Sequence, residues 1–247
     1  MRIAVISDMH GNDLAFEAIE ADIQRQKVDQ IVCLGDAIQG GPQPSAVAKR
    51  LRSLNCPVVM GNADAWLISG EETADEGISP ERLKKMREIR LWSSSQLSEE
   101  DIDYISSFQP TITVKLEDGP DLLCFHCSPD SFDDIILPAT PEEEFQKFLG
   151  AYTDRILTGG HTHAQQIRRI GKYFFFNPGS VGFAYSHNQP DDGFHADPWA
   201  EYAILTDENG QINLEFRRIP FNTQELIRIY AESGRPFVED AIAQYQA

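Results

Sequence analysis

No stretch of the chain approaches the ~18 consecutive apolar residues that a membrane-spanning helix needs, so no membrane association is expected. Cysteine is scarce: Cys33, Cys56, Cys124 and Cys127 are the only four. Cys33, Cys56 and Cys124 sit in apolar, strand-like runs, where a free thiol packs as a small hydrophobe. Cys124 and Cys127 form a C-x-x-C within CFHC, but it has no βαβ context for a redox motif, and no second such pair exists to complete a zinc site. All four are expected to be reduced and structural. Basic residues are also short, 21 Lys and Arg against 39 Asp and Glu, for a formal net charge of −18. That field opposes sequence-independent binding to a polyanion, so no bulk nucleic-acid binding is expected, although a nucleotide held at a metal site is compatible with it. The opening residues MRIAVISDMHG run straight into an apolar strand. They lack the h-region and cleavage site of a signal peptide, and a cytoplasmic location is expected.

Histidine is scarce as well, at six residues, yet two of them stand one residue apart in GGHTHAQ (159–165). In an extended segment side chains at i and i+2 project to the same side, so His161 and His163 could reach one small target. Two satisfied surface histidines would look the same in this window, and the rest of the chain must decide.

The first half alternates strand and helix. IAVIS (3–7), QIVCLG (30–35) and CPVVMG (56–61) are short apolar runs of the kind buried in a parallel sheet. Between them, DLAFEAIEADIQRQ (13–26) places Leu14, Ile19 and Ile23 at helical spacing behind an Asn12 N-cap, and SAVAKRLRSL (45–54) reads as a second helix. Residues 63–109 read as a helical excursion, apart from a loop near Gly77 to Pro80, with a capping box from Ser98 to Asp101. From residue 111 the pattern turns strand-rich: TITVKL, DLLCFH, RILTGG, QIRRI, YFFFN, YAILT and INLEFRRI, interrupted by one helix, PEEEFQKFLGAY. Two helices, FNTQELIRIYAESG and FVEDAIAQY, fill 220–247. No linker separates the halves, so residues 1–247 are expected to form one domain.

Chemistry collects where the strands end. The first ends in S-D-M-H (Asp8, His10), the second in L-G-D (Asp36) and the third in M-G-N (Asn62). DLLCF ends in His126, and RILTGG in His161 and His163. In open α/β sheets the ligand site lies just beyond the carboxyl ends of the strands. Taken singly, Asp8, Asp36 and Asn62 also read as turn residues, and His126 as a satisfied core histidine; their joint placement is the signal. Carboxylates, imidazoles and a neutral amide suit a hard-to-borderline divalent ion, with Mn, Fe, Zn, Ni, Co and Mg all candidates.

The ordered set D-x-H, G-D, G-N, H and G-H-x-H resembles the calcineurin-like metallophosphoesterase superfamily. NPGSVG (177–182) is similar to a motif of its small bacterial and archaeal phosphodiesterase branch, and the similarity runs from residue 1 to about 219. The resemblance implies an α/β fold, a four-layer αββα sandwich with two mixed sheets packed face to face and helices outside. It implies two divalent metal ions: one held by Asp8, His10 and His163, a second by Asn62, His126 and His161, and Asp36 bridging both. Asp36, Asn62 and His126 are then the candidate catalytic residues. The implied function is hydrolysis of phosphodiesters or nucleotide-type phosphoanhydrides through a metal-bridging hydroxide. A phosphomonoesterase or protein phosphatase is the alternative, and a non-catalytic protein-binding scaffold is the alternative of another class. Many members of the superfamily carry a histidine after G-N; here Ala63 stands there, which puts a side-chain acid at that point in doubt. Candidate substrate contacts are Asn12, Asn62, and His187 and His195 in the aromatic-rich segment 183–200. For Asn12 a plain N-cap is the competing reading, and for the two histidines a surface loop. Gly40, Gly41, Gly159 and Gly160 are expected to let backbone approach the site closely, and NPGSVG to form a supporting turn.

Overall fold

The computed structural model describes residues 1–71, 78–189 and 193–246. Residues 72–77, in the segment read as helical up to its loop near Gly77, and 190–192, within the aromatic-rich segment, lie outside the described residues.

The β-branched run RIAVI forms β1 (Arg2–Ile6), and four of its five residues are buried. It pairs in parallel with β2 (Gln30–Cys33) after a crossover through α1 (Asp13–Gln26). Asn12 caps α1 by accepting from the Ala15 N–H, and the helix buries Phe16, Ile19 and Ile23. The second crossover, α2 (Pro44–Leu54), leads to the segment expected as a third strand. That expectation needs correction: 56–61 forms no regular strand, only isolated parallel bridges from Val58 to Cys33 and from Val59 to Gln109. The chain leaves the sheet after two residues because Asn62 already opens a helix, α3 (Asn62–Ser69). α4 (Pro80–Ser95) and α5 (Glu99–Ser106) complete the excursion, and α5 starts with the expected Ser98–Asp101 capping box.

The rest of the chain supplies β3 (Ile112–Val114), β4 (Leu122–Cys124), α6 (Glu142–Leu149), β5 (Ile156–Thr158), β6 (Gln166–Ile170) and β7 (Tyr173–Asn177), followed by β8 (Trp199–Glu208), β9 (Gln211–Pro220), α7 (Thr223–Ser233) and α8 (Val238–Ala243). Two mixed sheets result, in the orders β2-β1-β8-β9 and β3-β4-β5-β7-β6. The first draws on both ends of the chain: β8 runs antiparallel to β1, with Ile3 opposite Leu205 and Val5 opposite Ala203.

Alternation along the strands sorts the core into layers. Ile3, Val5, Val32, Ala203 and Leu205 face Leu122, Cys124, Ile156 and Phe176 across the gap between the sheets. Ala4 and Ile6 point the other way, onto Phe16, Ile19, Val47 and Leu51 of α1 and α2. On the far sheet Leu123, Leu157 and Phe175 pack against Phe145 and Leu149 of α6. Helix, sheet, sheet and helix form the four layers, and each fully buried Val, Leu, Ile or Phe contributes roughly 1.5–3 kcal/mol. Among the described residues no helix is long and apolar enough to cross a membrane.

Candidate metal centre

The parallel strands of each sheet end on one side of the sandwich, and their connecting loops bring the seven singled-out residues to that side. A surface hollow of about 420 Å³ lined by Lys27, Gln30, Asn55 and Pro57 lies at the start of β2, away from them. Five of the seven have left-handed backbones: Asp8 (φ 56°), His10 (44°), Asp36 (49°), His161 (68°) and His163 (54°). A left-handed residue with a side chain costs roughly 1–2 kcal/mol. Strain gathered in this way marks a place where side-chain direction has been favoured over backbone comfort.

Asp8 is fully buried and His126 nearly so. Asp8 Oδ1 lies 3.3 Å from His163 Nε2, 3.8 Å from His10 Nε2 and 4.0 Å from His126 Nε2. Asp36 Oδ2 lies 3.3 Å from His126 Nε2 and 3.8 Å from His10 Nε2. His10 and His163 bring their Nε2 atoms to 3.0 Å, and the His126 and His161 rings meet edge to face at 5.4 Å. Three rings are oriented from behind. Nδ1 of His10 bonds the Gln39 carbonyl at 2.8 Å, that of His126 the Leu34 carbonyl at 2.8 Å, and that of His163 the Phe183 carbonyl at 2.7 Å. A carbonyl accepts only an N–H, so each Nδ1 carries a proton, and Nε2 is the ring nitrogen turned to the centre and available to a cation once it is deprotonated.

The donor set suits divalent cations. Asp8 Oδ1 and His126 Nε2 are buried without a hydrogen-bond partner among the described residues. Such an orphan costs roughly 1–3 kcal/mol, and a cation would satisfy both. Among the described residues three groups could hold an ion: Asp8 with His10 and His163; Asp8 with Asp36 and His126; and His126 with Cys127 and His161. Cys127 was expected to be structural. Its thiol donates to the Phe132 carbonyl at 2.9 Å, and burial, then Asp36, push its pKa upward. Asn62 stands at the start of α3, with its Oδ1 3.9 Å from Cys127 Sγ.

The cluster's charges compensate one another. Burial pushes Asp8 and Asp36 up, but His163 and His126, respectively, outweigh it and hold both carboxyls below the ordinary range. Burial opposes the charge on His126, yet Asp36 beside it raises the ring to about 9. Burial lowers His161 to about 4, assisted by His126, and lowers His10, assisted by His163.

Neighbouring loops brace the ligand loops. Asp36 Oδ1 accepts from the Ala63 N–H at 2.8 Å, while the buried Asp64 carboxylate accepts from the Ala37 and Ile38 N–H groups at 3.1 and 3.2 Å. Each loop thus holds the other's backbone. Burial and Asp36 push Asp64 up to about 7. NPGSVG forms the support expected of it: Val181 and Gly182 donate backbone N–H to the Ser7 and Asp8 carbonyls, and Asn177 donates to the Gly160 carbonyl at 2.6 Å. At Gly160 a Cβ would meet Ser7 Oγ and come within 2.8 Å of Asp8 Oδ2, so glycine is required there. Arg235, far along the chain, donates Nε to the Gly40 carbonyl at 2.5 Å, beside the Gln39 carbonyl that orients His10.

Of the candidate substrate contacts, Asn12 is buried, and its side chain is occupied by the Ala15 N–H and the Gly182 carbonyl. His187 is exposed and bonds the Thr162 carbonyl through Nε2 at 2.6 Å, between the two GGHTHAQ histidines. His195 is exposed, its backbone tied to the Gln189 side chain. Asp64 and Arg235 carried no signal beyond ordinary charge in the sequence; Cys127 could have been found from its place beside His126.

Residues 1–196 match the calcineurin-like phosphoesterase superfamily domain, and the chain belongs to that family. It is 28% identical over 230 residues to an uncharacterized protein of Methanocaldococcus jannaschii, with 86% of this chain and 85% of that one covered. Among solved structures it is similar to a metallophosphoesterase from Sphaerobacter thermophilus, at TM-score 0.71 and 26% identity over 98% of each chain. A hypothetical protein from Pyrococcus horikoshii shares the fold at TM-score 0.80 and 18% identity, over 98% of this chain and 97% of that one. Membership supports metal-dependent phosphoester hydrolysis in general, with divalent metal as cofactor.

Proposed function

We propose that the protein is a binuclear metal-dependent phosphoesterase that hydrolyses phosphodiesters or nucleotide-type phosphoanhydrides. The observation that carries this reading is the set of three Nδ1-anchored histidines whose Nε2 atoms converge on two buried carboxylates. Asp8, His10 and His163 would hold one ion, Asn62, His126 and His161 the other. Asp36 Oδ2 faces one histidine of each set, which supports it as the shared ligand. A pair of divalent ions supplies Lewis-acid activation of water near neutral pH and neutralises charge on the phosphoryl oxygens. The chain's own part is orientation. The carbonyl anchors fix the ring tautomers, and the Ala63 N–H takes Asp36 Oδ1, leaving Oδ2 to the centre.

Ala63 presents a methyl group where a side-chain acid would otherwise stand, so departing alkoxides lack a proton donor from that position. General acid catalysis contributes typically 10²–10⁴-fold and matters most for poor leaving groups. The reading therefore favours aryl diesters and anhydrides over alkyl phosphates. The test is metal analysis of the purified protein, then assay of bis-p-nitrophenyl phosphate, p-nitrophenyl phosphate and a nucleoside diphosphate with each divalent metal. Two ions per chain and turnover of the diester or the anhydride are expected. Turnover of the monoester alone would favour a phosphomonoesterase, and a chain that takes up no metal would be a scaffold.

A further inference from the structure

A chain of aromatic rings leads out of the centre from His163. The Tyr185 and Phe183 rings lie 5.5 and 5.8 Å from the His163 ring, and 5.6 Å from each other. Phe194 lies 5.1 Å from Tyr185 and 5.7 Å from Phe183, and His187 lies 4.8 Å from Tyr185. These rings serve no core: Phe183, Tyr185 and Phe194 belong to none of the four buried clusters of the described residues. Phe194 is 38% exposed, and Phe183 and Tyr185 are half-buried. Large rings left partly in water beside a polar centre call for an occupant.

The rings are also held in advance. The Phe183 N–H donates to Ser180 Oγ at 2.9 Å and its carbonyl accepts from His163 Nδ1. His187 is tied to the Thr162 carbonyl, and the Asp197 N–H donates to the Ala184 carbonyl at 2.7 Å. A platform fixed before binding loses little entropy when it is used.

We propose that Tyr185, Phe183 and Phe194 form a stacking platform for a flat aromatic group carried by the phosphoester whose phosphoryl group sits at the metal centre. Phe194 is linked to His163 through Tyr185 and through Phe183, by ring contacts of 5.1 to 5.8 Å. A nucleobase and a simple aryl ester share this π-face chemistry. The proposal rests on the metal-centre reading, and binding tests it apart from turnover.

The probes are AMP against ribose 5-phosphate, which differ only in the base, and phenyl phosphate against methyl phosphate. Each is titrated calorimetrically into the metal-loaded full chain. Stacking of one base on aromatic side chains predicts that AMP binds on the order of tenfold or more tighter than ribose 5-phosphate. Tyr185→Leu and Phe194→Leu should each shrink that ratio several-fold, while Tyr185→Phe keeps it. If Tyr185→Leu fails to fold, the exposed Phe194 still carries the test. A gain for phenyl phosphate without one for AMP assigns the platform to short aryl esters. Equal binding within both pairs overturns it. Hydrolysis of bis-p-nitrophenyl phosphate and of a nucleoside diphosphate is measured on the same samples. Turnover with equal binding sinks the platform alone, whereas a base preference without any turnover sinks the hydrolytic reading and leaves the platform standing.

Discussion

On the Asp8 side of the centre both histidines are anchored, His10 on the Gln39 carbonyl and His163 on the Phe183 carbonyl. On the Asn62 side only His126 is anchored; neither ring nitrogen of His161 has a hydrogen bond among the described residues, and its ring rests edge-on against His126. One half of the cluster is built to a fixed geometry and the other keeps a degree of freedom. Second-layer hydrogen bonds of this kind are worth roughly 10–100-fold in metal affinity, so the two halves should hold ions unequally, with the Asp8 side the tighter.

The sharpest way to break this comparison is to remove Asp36, the group proposed to be common to both halves. Asp36→Asn should disturb both ions and lower the rate on the order of 10²–10³-fold, comparable to loss of one preorganised electrostatic contact. Asn62→Ala should release one ion and cost less. Metal content and turnover of the two variants, measured side by side, decide it; equal losses would count against a shared carboxylate. A stepwise metal titration should next resolve two affinities separated by roughly 10–100-fold. His163→Ala should abolish the tighter step and His161→Ala the weaker one, with the fold retained in both. Two indistinguishable steps in the parent chain would erase the asymmetry.

A smaller effect follows from pH. In the folded, metal-free chain His126 titrates at about 9, above the 6.5 of the free ring. Its charge therefore stabilises the metal-free fold fully below pH 6.5, and that contribution is lost as the pH rises through about 9. Asp64, raised to about 7 from 3.8, acts in the same direction at lower pH, because its ionisation in the fold is disfavoured. Metal must displace the His126 proton, so affinity on the Asn62 side should climb with pH up to about 9 while the metal-free melting temperature falls. A flat metal-free melting temperature between pH 6 and 9 would contradict this. The smallest change is expected from Arg235→Ala, which frees the Gly40 carbonyl and loosens the Gln39 anchor of His10. Loss of about 1 kcal/mol, a several-fold weakening of the tighter step alone, is the size of one hydrogen bond. Unchanged affinity would show that the Gly40 contact has no influence on His10.

Most of the architecture was legible because it follows from local patterning. Asn12 and the apolar stripe behind it announce α1, and RIAVI announces β1. The residues that converge on the centre were legible because each stands just past an apolar run, where loops emerge on one side of a sheet. What escaped depends on partners far along the chain. The run 56–61 has the composition of a strand, but α3 begins so soon after it that only two bridges form. Asn209 and Gly210, both at positive φ, turn β8 into β9 and join two ten-residue strands that the sequence pattern had shortened at their polar ends. The reciprocal bracing of Asp36 and Asp64 could not be read at all, since an aspartate after a strand looks the same whether it accepts two N–H groups or none.

The tie between NPGSVG and the end of β1 also has a consequence in time. Asp8 and His10 are made long before the residues that hold them: the Ser7 and Asp8 carbonyls find their partners at Val181 and Gly182, and β1 is flanked by β8 at Trp199–Glu208. At translation rates of about 5–20 residues per second, the growing chain carries these two residues for roughly 10–40 s before their partners exist. Strand pairs so distant in sequence also form slowly once complete. The centre is therefore among the last parts of the molecule to take shape, and a metal that it takes up would meet a finished protein rather than a nascent one.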